Sequence, residues 1–410
     1  MNTLHPAPVR NLLVLGCGGF IGSHLLDRLL DPAGGALGSV HVTGWDLGAT
    51  KIARHLEHPR FRFVRSSIND PAQLPLLRTQ IADADVVLNL AAICNPSQYN
   101  TEPLATIQAN FLDGLPLVEA CTDAGAWLIH FSTSEVYGRT IDSYLPGHRY
   151  ADPNLYELDE DATPLVMGPI VNQRWSYACA KQLMERWIYA HHRERGLRFS
   201  VVRPLNFFGP RMDFIPGRDG EGVPRVLACF MTALLDRQPM RLVDGGQARR
   251  TILSIHDGVE AVIAMLRHPR QAQGHAFNIG NRDNEVTIAQ LAELMRSTYA
   301  QVSGDASYLD HPIVSVPGRE FYGEGYEDCD RRMPKVDKAR TLLQWTPRIP
   351  LAEAVRETVA YYHDLYGRTG SPTPAHGNGN GNGNGHGISV VASRPLDAAA
   401  APAPATKGAL

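Results

Sequence analysis

Several features are scarce or missing in this chain, and each absence excludes something. The longest apolar stretches, such as residues 84–94, are too short and too interrupted to span a bilayer. Residues 1–10 carry no apolar segment behind a basic start, so no secretory leader is read there. Cysteine is sparse: six residues, at 17, 94, 121, 179, 229 and 329, with no C-x-x-C pair. That pattern indicates neither a disulfide framework nor a zinc site, and a reducing cytoplasm is the expected setting. No sign of charge predominates. Lys and Arg total 39, Asp and Glu 42, and the net charge is -3, so neither nucleic acid nor an anionic membrane is an expected partner.

What remains is an ordinary globular composition, with 44% hydrophobic and 20% charged residues in 410. At about 150 residues per domain this length suggests two or three domains. Apolar runs at 11–15, 40–45, 61–64, 84–90, 127–132 and 199–203 read as strands. Helical spacing fills 23–30, 104–124 and 177–195. Strands alternating with helices predict an α/β fold of Rossmann type, a doubly wound parallel sheet covered on both faces. From about residue 206 the rhythm changes. Pro, Gly and Arg become frequent, and short strands (240–243, 276–279) alternate with helices (223–236, 256–267, 288–300). The expected organisation is a dinucleotide-binding domain over 1–205 and a smaller mixed α/β lobe over 206–368. The last part, 369–410, is rich in Gly, Asn, Ala and Pro and is read as a disordered tail.

Gly16-Cys-Gly-Gly19-Phe20-Ile21-Gly22 follows the first strand directly and opens the first helix. Such a turn leaves backbone N–H groups free at a helix N-terminus, where a pyrophosphate can bind, and glycines allow the close approach. Asp46 ends the second strand, where a carboxylate accepts hydrogen bonds from ribose hydroxyls and repels a 2′-phosphate. NAD is therefore favoured over NADP.

Tyr177 and Lys181 stand four residues apart and share one face of their helix. A free tyrosine has a pKa of about 10, too high for a base at neutral pH. A neighbouring ammonium favours the phenolate, which can then take a hydroxyl proton as hydride leaves the same carbon. Ser132-Thr133-Ser134-Glu135 ends the fifth strand, where ligands of open α/β sheets collect. His256-Asp257 is a superficial hydrolase pair with no nucleophile motif beside it.

The Gly16, Gly19 and Gly22 spacing, Asp46, Leu90-Ala91-Ala92, the 132–138 segment and Tyr177-x-x-x-Lys181 together resemble the extended short-chain dehydrogenase/reductase superfamily. Residues 89–96, 131–138, 174–182, 209–217, 221–230 and 321–326 are more narrowly similar to UDP-apiose/UDP-xylose synthases. A second relative is the UDP-glucuronate decarboxylase domain of the lipid A aminoarabinose pathway. The resemblance covers about residues 9 to 365. It implies that NAD⁺ takes hydride from C4 of UDP-glucuronate, that the resulting β-keto acid loses CO₂, and that the hydride returns to give UDP-xylose. In an apiose branch, a retro-aldol cut between C2 and C3 precedes a new aldol closure.

The resemblance also implies roles. Tyr177 is the base, Lys181 lowers its pKa and holds the nicotinamide ribose, and Thr133 bonds the C4 oxygen. Glu135 is a candidate acid/base. Arg332 holds the C6 carboxylate or donates a proton, and Arg174 contacts substrate. Asn206, Arg225, Arg241, Arg250 and Tyr326 are candidate UDP contacts, since diphosphates favour guanidinium forks. With the Gly-rich turn, Ala91 and Ala92 complete the cofactor set, and no metal is expected. Cys94 matches a cysteine of the apiose synthases and is a candidate proton shuttle. Ser134 stands where the plant apiose synthases carry cysteine and the decarboxylases carry serine, which leaves the product open between apiose and xylose. A decarboxylase of another glucuronoside and a non-catalytic NAD-binding regulator are the alternative readings. The helices within 104–124 and 177–195 are the expected faces of a homodimer.

Overall fold

The computed structural model describes residues 9–31, 35–145, 151–220, 224–318, 329 and 331–367, which belong to one unit, Met1–Gly370. The 369–410 tail and Tyr326, with the rest of the 321–326 motif, lie outside the described residues. Seven strands form one parallel sheet. They are β1 (Asn11–Leu15), β2 (His41–Asp46), β3 (Phe61–Arg65), β4 (Val86–Asn89), β5 (Trp127–Phe131), β7 (Phe199–Pro204) and β12 (His275–Ile279). Their order is β12-β7-β5-β4-β1-β2-β3. The order reverses at β1, and the crevice beyond the strand ends there is where open α/β sheets bind ligands.

Both faces of the sheet are dry, as the near-continuous apolar strands require. Leu12, Val14, Val86, Leu88, Ile129 and Val202 point into one core with helix α1 (Phe20–Leu29) and the helix Ile255–Arg267. Their strand neighbours Leu13, Leu15, Val87, Leu128 and Val201 enter the opposite core. There they meet α2 (Leu74–Asp83), α5 (Leu115–Ala124) and α6 (Ser176–Arg195). This is the two-residue alternation of a strand with helices on either side. Helix α3 (Pro96–Thr101) and helix α4 (Pro103–Asn110) precede α5.

The sequence suggested one helical stretch over 104–124. The structure divides it: α4 ends at Asn110, a 3-10 turn covers Leu112–Gly114, and α5 begins at Leu115. Pro116 supplies the reason. A proline is tolerated in the first turn of a helix and disrupts its interior.

The remaining strands are small. β10 (Arg249–Thr251) lies between β13 (Glu285–Thr287) and β15 (Arg331–Pro334), and β6 (Glu157–Leu158) flanks β15. β8 (Phe207–Phe208) pairs with β11 (Leu253–Ser254), and β9 (Met240–Val243) with β14 (Ile313–Val316). A third core, around Phe230, Met231, Ile252, Met295 and Tyr362, holds these pieces to the later helices. β12 itself returns from this later part of the chain to pair with β7.

Candidate active site

The turn after β1 is built for close backbone approach. Gly16 has φ +82°, and a Cβ there would meet Ala91 N and Leu90 C at 2.9 Å. A Cβ on Gly22 would lie 2.5 Å from the Gly16 carbonyl oxygen. Gly18, which the motif spacing did not single out, is tighter still, with Gly48 O at 2.1 Å and Asp46 Cγ at 2.9 Å from an added Cβ. Its N–H donates to Asp46 Oδ2 at 2.8 Å, and Gly48 N–H donates to Oδ1 at 3.0 Å. Above Gly19 the space is freer, since a Cβ would have only Gly16 O nearby, at 3.3 Å. The N–H groups of Phe20 and Ile21 open α1 beside it, where a helix has no internal acceptors for them. This is a cradle for a pyrophosphate with a carboxylate at its ribose end, and the residues fit a dinucleotide. Ala91 N–H bonds Asn89 Oδ1 at 3.2 Å, and Ala92 is exposed at the end of β4.

The catalytic candidates converge where β5 ends. Thr133 caps the turn Ser134–Tyr137, its hydroxyl accepting from Glu135 N–H at 3.1 Å, and its side chain lies close enough to the Tyr177 phenol to favour the ionised form. Tyr177 and Lys181 lie in the first two turns of α6, 6% and 2% exposed. Lys181 Nζ donates to the Phe131 carbonyl at 3.0 Å. Burial lowers its pKa to about 8, against the raising influence of Cys94 and Glu185.

The sequence expectation for Tyr177 was a lowered pKa. In the chain itself burial comes first and holds the phenol well above its ordinary value, with Cys94 and Glu135 adding to the rise. The Thr133 side chain and the charge of Arg225 pull it down. Another neighbour was not foreseen. Tyr99, on α3, stacks face to face on Tyr177, with ring centroids 4.7 Å apart and planes within 7°. Arg174 lies over the Tyr99 ring at 5.6 Å. Nothing in the local sequence marks Tyr99. The contact depends on α3 folding against α6.

Glu135 joins this cluster to a cationic wall. Arg174 grips it with two bonds, 2.6 Å and 2.9 Å. Arg332, on β15, approaches with Nη1 at 3.7 Å. Arg332 is 4% exposed, and its Nε and Nη2 are buried with no hydrogen-bond partner among the described residues. Arg250 is its register partner on β10, and its Nη1 donates to the carbonyls of Arg249 and Cys329, each at 2.8 Å. Arg225 is held by Asp213 and by the Met212 carbonyl, and its charge reaches Tyr177. Cys94 is exposed in the loop after β4, close enough to couple electrostatically to Tyr177 and Lys181. Ser134 is buried inside the turn. Asn206 gives its amide to Thr251 O at 2.8 Å, and Arg241 stands exposed on β9.

A Gly-rich dinucleotide turn, a Thr–Tyr–Lys cluster at the strand ends and a parallel sheet that reverses order at β1 define a dinucleotide-dependent enzyme of the short-chain dehydrogenase type. The chain belongs to the NAD dependent epimerase/dehydratase family, whose model matches residues 12–280, and its cofactor is NAD. It is 48% identical over 373 residues to a UDP-D-apiose/UDP-D-xylose synthase of Oryza sativa subsp. japonica, a match covering 88% of this chain and 91% of that protein. To UDP-D-apiose/UDP-D-xylose synthase 1 of Arabidopsis thaliana it is also 48% identical, over 88% of this chain and 93% of that one. Among solved structures it is similar to the PbgP3 protein from Burkholderia pseudomallei, at 30% identity and TM-score 0.73. That match covers 88% of this chain and 98% of the other. It shares its fold with UDP-glucuronic acid 4-epimerase from Bacillus cereus, solved with UDP-glucuronic acid and NAD. There the TM-score is 0.67, with 23% identity over 87% of this chain and all of that one. No helix among the described residues is long and apolar enough to cross a membrane.

Proposed function

We propose that this chain is a UDP-apiose/UDP-xylose synthase that oxidises UDP-glucuronate at C4, decarboxylates it and reduces the product within one pocket. The observation that carries the reading is Arg332: a buried guanidinium with two unpartnered nitrogens, beside the Glu135–Arg174 pair. Burying such donors unpaired is costly, and a carboxylate is the group that repays the cost with two charge-assisted bonds. The names of the 48% identical relatives support the same substrate class.

Gly16, Gly18 and Gly22, the N-terminus of α1 and Asp46 would hold the dinucleotide. Bound NAD⁺ supplies the acceptor, and afterwards the donor, of the C4 hydride. Thr133 orients the C4 hydroxyl and Tyr177 removes its proton, while the Lys181 charge favours the phenolate. Arg332 holds the C6 carboxylate β to the new ketone, so the electrons of the C5–C6 bond flow into that ketone as CO₂ leaves. Glu135, steadied by Arg174, is positioned to pass the proton that quenches the enolate. Cys94 is the acid/base candidate for the cut between C2 and C3 in the apiose branch.

The setting that suits this reading is a reducing cytoplasm, since all six cysteines are free thiols. The assembly that suits it is a homodimer built on α4 and α6. A second reading, a plain UDP-glucuronate decarboxylase, is favoured by Ser134, which replaces the cysteine of the plant synthases. Incubation with UDP-glucuronate, read by CO₂ release and product NMR, tests both. A branched pentose supports the synthase, UDP-xylose or its 4-keto form alone supports the decarboxylase, and no pentose rejects both.

A further inference from the structure

Two turns beyond Tyr177 and one beyond Lys181, α6 presents Glu185 in the same helical row. It is nearly buried and carries no part of the proposed chemistry. Arg203 on β7 grips it, with Nε to Oε1 at 3.1 Å and Nη2 to Oε2 at 2.6 Å. The remaining arm of Arg203 donates to the Tyr137 hydroxyl at 2.8 Å and to the Glu160 carbonyl at 3.3 Å. Tyr137 ends the turn that begins with Thr133 and contains Glu135. Its hydroxyl proton goes to Asn278 Oδ1 on β12, at 2.8 Å.

Asn278 then spends its remaining groups on the carboxylate-binding end. Its side-chain amide donates to Leu158 O at 2.8 Å and to Lys335 O at 3.2 Å, and its backbone N–H donates to Glu160 Oε1 at 2.8 Å. Leu158, on β6, is the register partner of Pro334, two residues beyond Arg332 on β15. The chain of bonds Glu185–Arg203–Tyr137–Asn278 therefore touches every segment that carries a catalytic candidate around C4 and the carboxylate. Tyr137 is 1% exposed, Asn278 is fully buried, and both have their polar groups paired.

We propose that Arg203 and Tyr137 are positioning residues, which lock the helix of Tyr177 and Lys181, the turn of Thr133 and Glu135, and the strand of Arg332 into one spacing. The proposal rests on the substrate reading above, because that reading needs C4 and the C6 carboxylate to be addressed together. A polar network of this kind is rigid when every member is satisfied and loses its rigidity when one bond goes. Chemistry is sensitive to such a change, because a displacement of about 1 Å in a positioned group can cost roughly a hundredfold in rate.

Tyr137→Phe is the test, since it removes one hydroxyl and keeps the ring volume. In the full chain with NAD and UDP-glucuronate, kcat should fall by at least about tenfold while KM stays within about threefold. Hydrogen exchange should quicken in peptides covering β6 and β15 and stay unchanged in the Gly16–Gly22 turn. Should Tyr137→Phe not fold, Arg203→Lys keeps a cation for Glu185, loses the arm to Tyr137, and should give the same pattern. A kcat within about twofold of wild type, or a lowered kcat with exchange in β6 and β15 unaltered, overturns the proposal. If the wild type leaves UDP-glucuronate untouched, the substrate reading falls. The exchange pattern then judges the coupling by itself.

Discussion

Arg332 and Lys181 show how one residue can be kept at a cost to the fold. Arg332 has two buried nitrogens, Nε and Nη2, without a partner among the described residues, and an incoming anion would satisfy them. Arg332→Gln should therefore lower kcat/KM for UDP-glucuronate by at least about a hundredfold, as expected for losing charge-assisted bonds in a desolvated site. NAD affinity, measured by titration, should not change. If the substrate loses less than about tenfold, the carboxylate is held elsewhere.

Lys181 carries a different cost. Burial lowers its pKa from 10.5 to about 8, so below pH 8 the folded chain keeps a charge it would rather shed. A shift of this size corresponds to roughly 3 kcal/mol. The sign follows from proton counting. Between about 8 and 10.5 the unfolded chain binds the proton and the folded one does not, so folding stability gained from this group rises with pH across that window. Lys181→Met should abolish turnover and raise stability at pH 7 in chemical denaturation, less the lost bond to Phe131 O. That advantage over wild type should shrink as pH approaches 10. An advantage independent of pH would mean that the ammonium is not the source.

At the scale of elements, the sequence carried the local signals and lost the long-range ones. The six main strands before residue 205 and helices α1 and α6 were legible because apolar runs and 3.6-residue spacing are properties of contiguous chain. The Gly-rich turn was legible too, although Gly18, with the least room in that turn, hides between the motif positions. β6, two residues long, and β15 form only because they pair with each other and with β10. The Arg250–Arg332 register and the partly unpartnered guanidinium of Arg332 follow from that pairing, and the stack of Tyr99 on Tyr177 follows from α3 folding against α6. No periodicity announces them. The turn after β1 gives a test at this scale. Gly22→Ala places a methyl 2.5 Å from the Gly16 carbonyl, against backbone that cannot move away. NAD binding by fluorescence titration should weaken by at least about tenfold, with a lower melting temperature. Gly19→Ala, whose methyl would meet only the Gly16 carbonyl oxygen, at 3.3 Å, should cost less stability than Gly22→Ala and should weaken NAD binding if the pyrophosphate passes above it.

At the scale of the whole molecule, the outer face of α4 and α6 is a surface that a lone chain does not explain. The two helices pack on each other, yet Leu104 is 83% exposed, and Leu112 and Leu183 are 44% and 49% exposed. Single exposed leucines are ordinary. Several on adjoining elements mark an interaction surface. Burying a fully exposed leucine is worth about 1.5–3 kcal/mol, and two of these three are already half buried, so two copies offer roughly 5–10 kcal/mol before the entropy of association is counted. A two-fold pair built there would tie assembly to function, because α6 also carries Tyr177, Lys181 and Glu185. The wild type should sediment as a dimer. Leu104→Glu with Leu183→Glu should sediment as a monomer, with a lower melting temperature and reduced turnover from a less firmly held α6. A wild type that sediments as a monomer at micromolar concentration, or a double variant that still sediments as a dimer, would assign these leucines to some other contact.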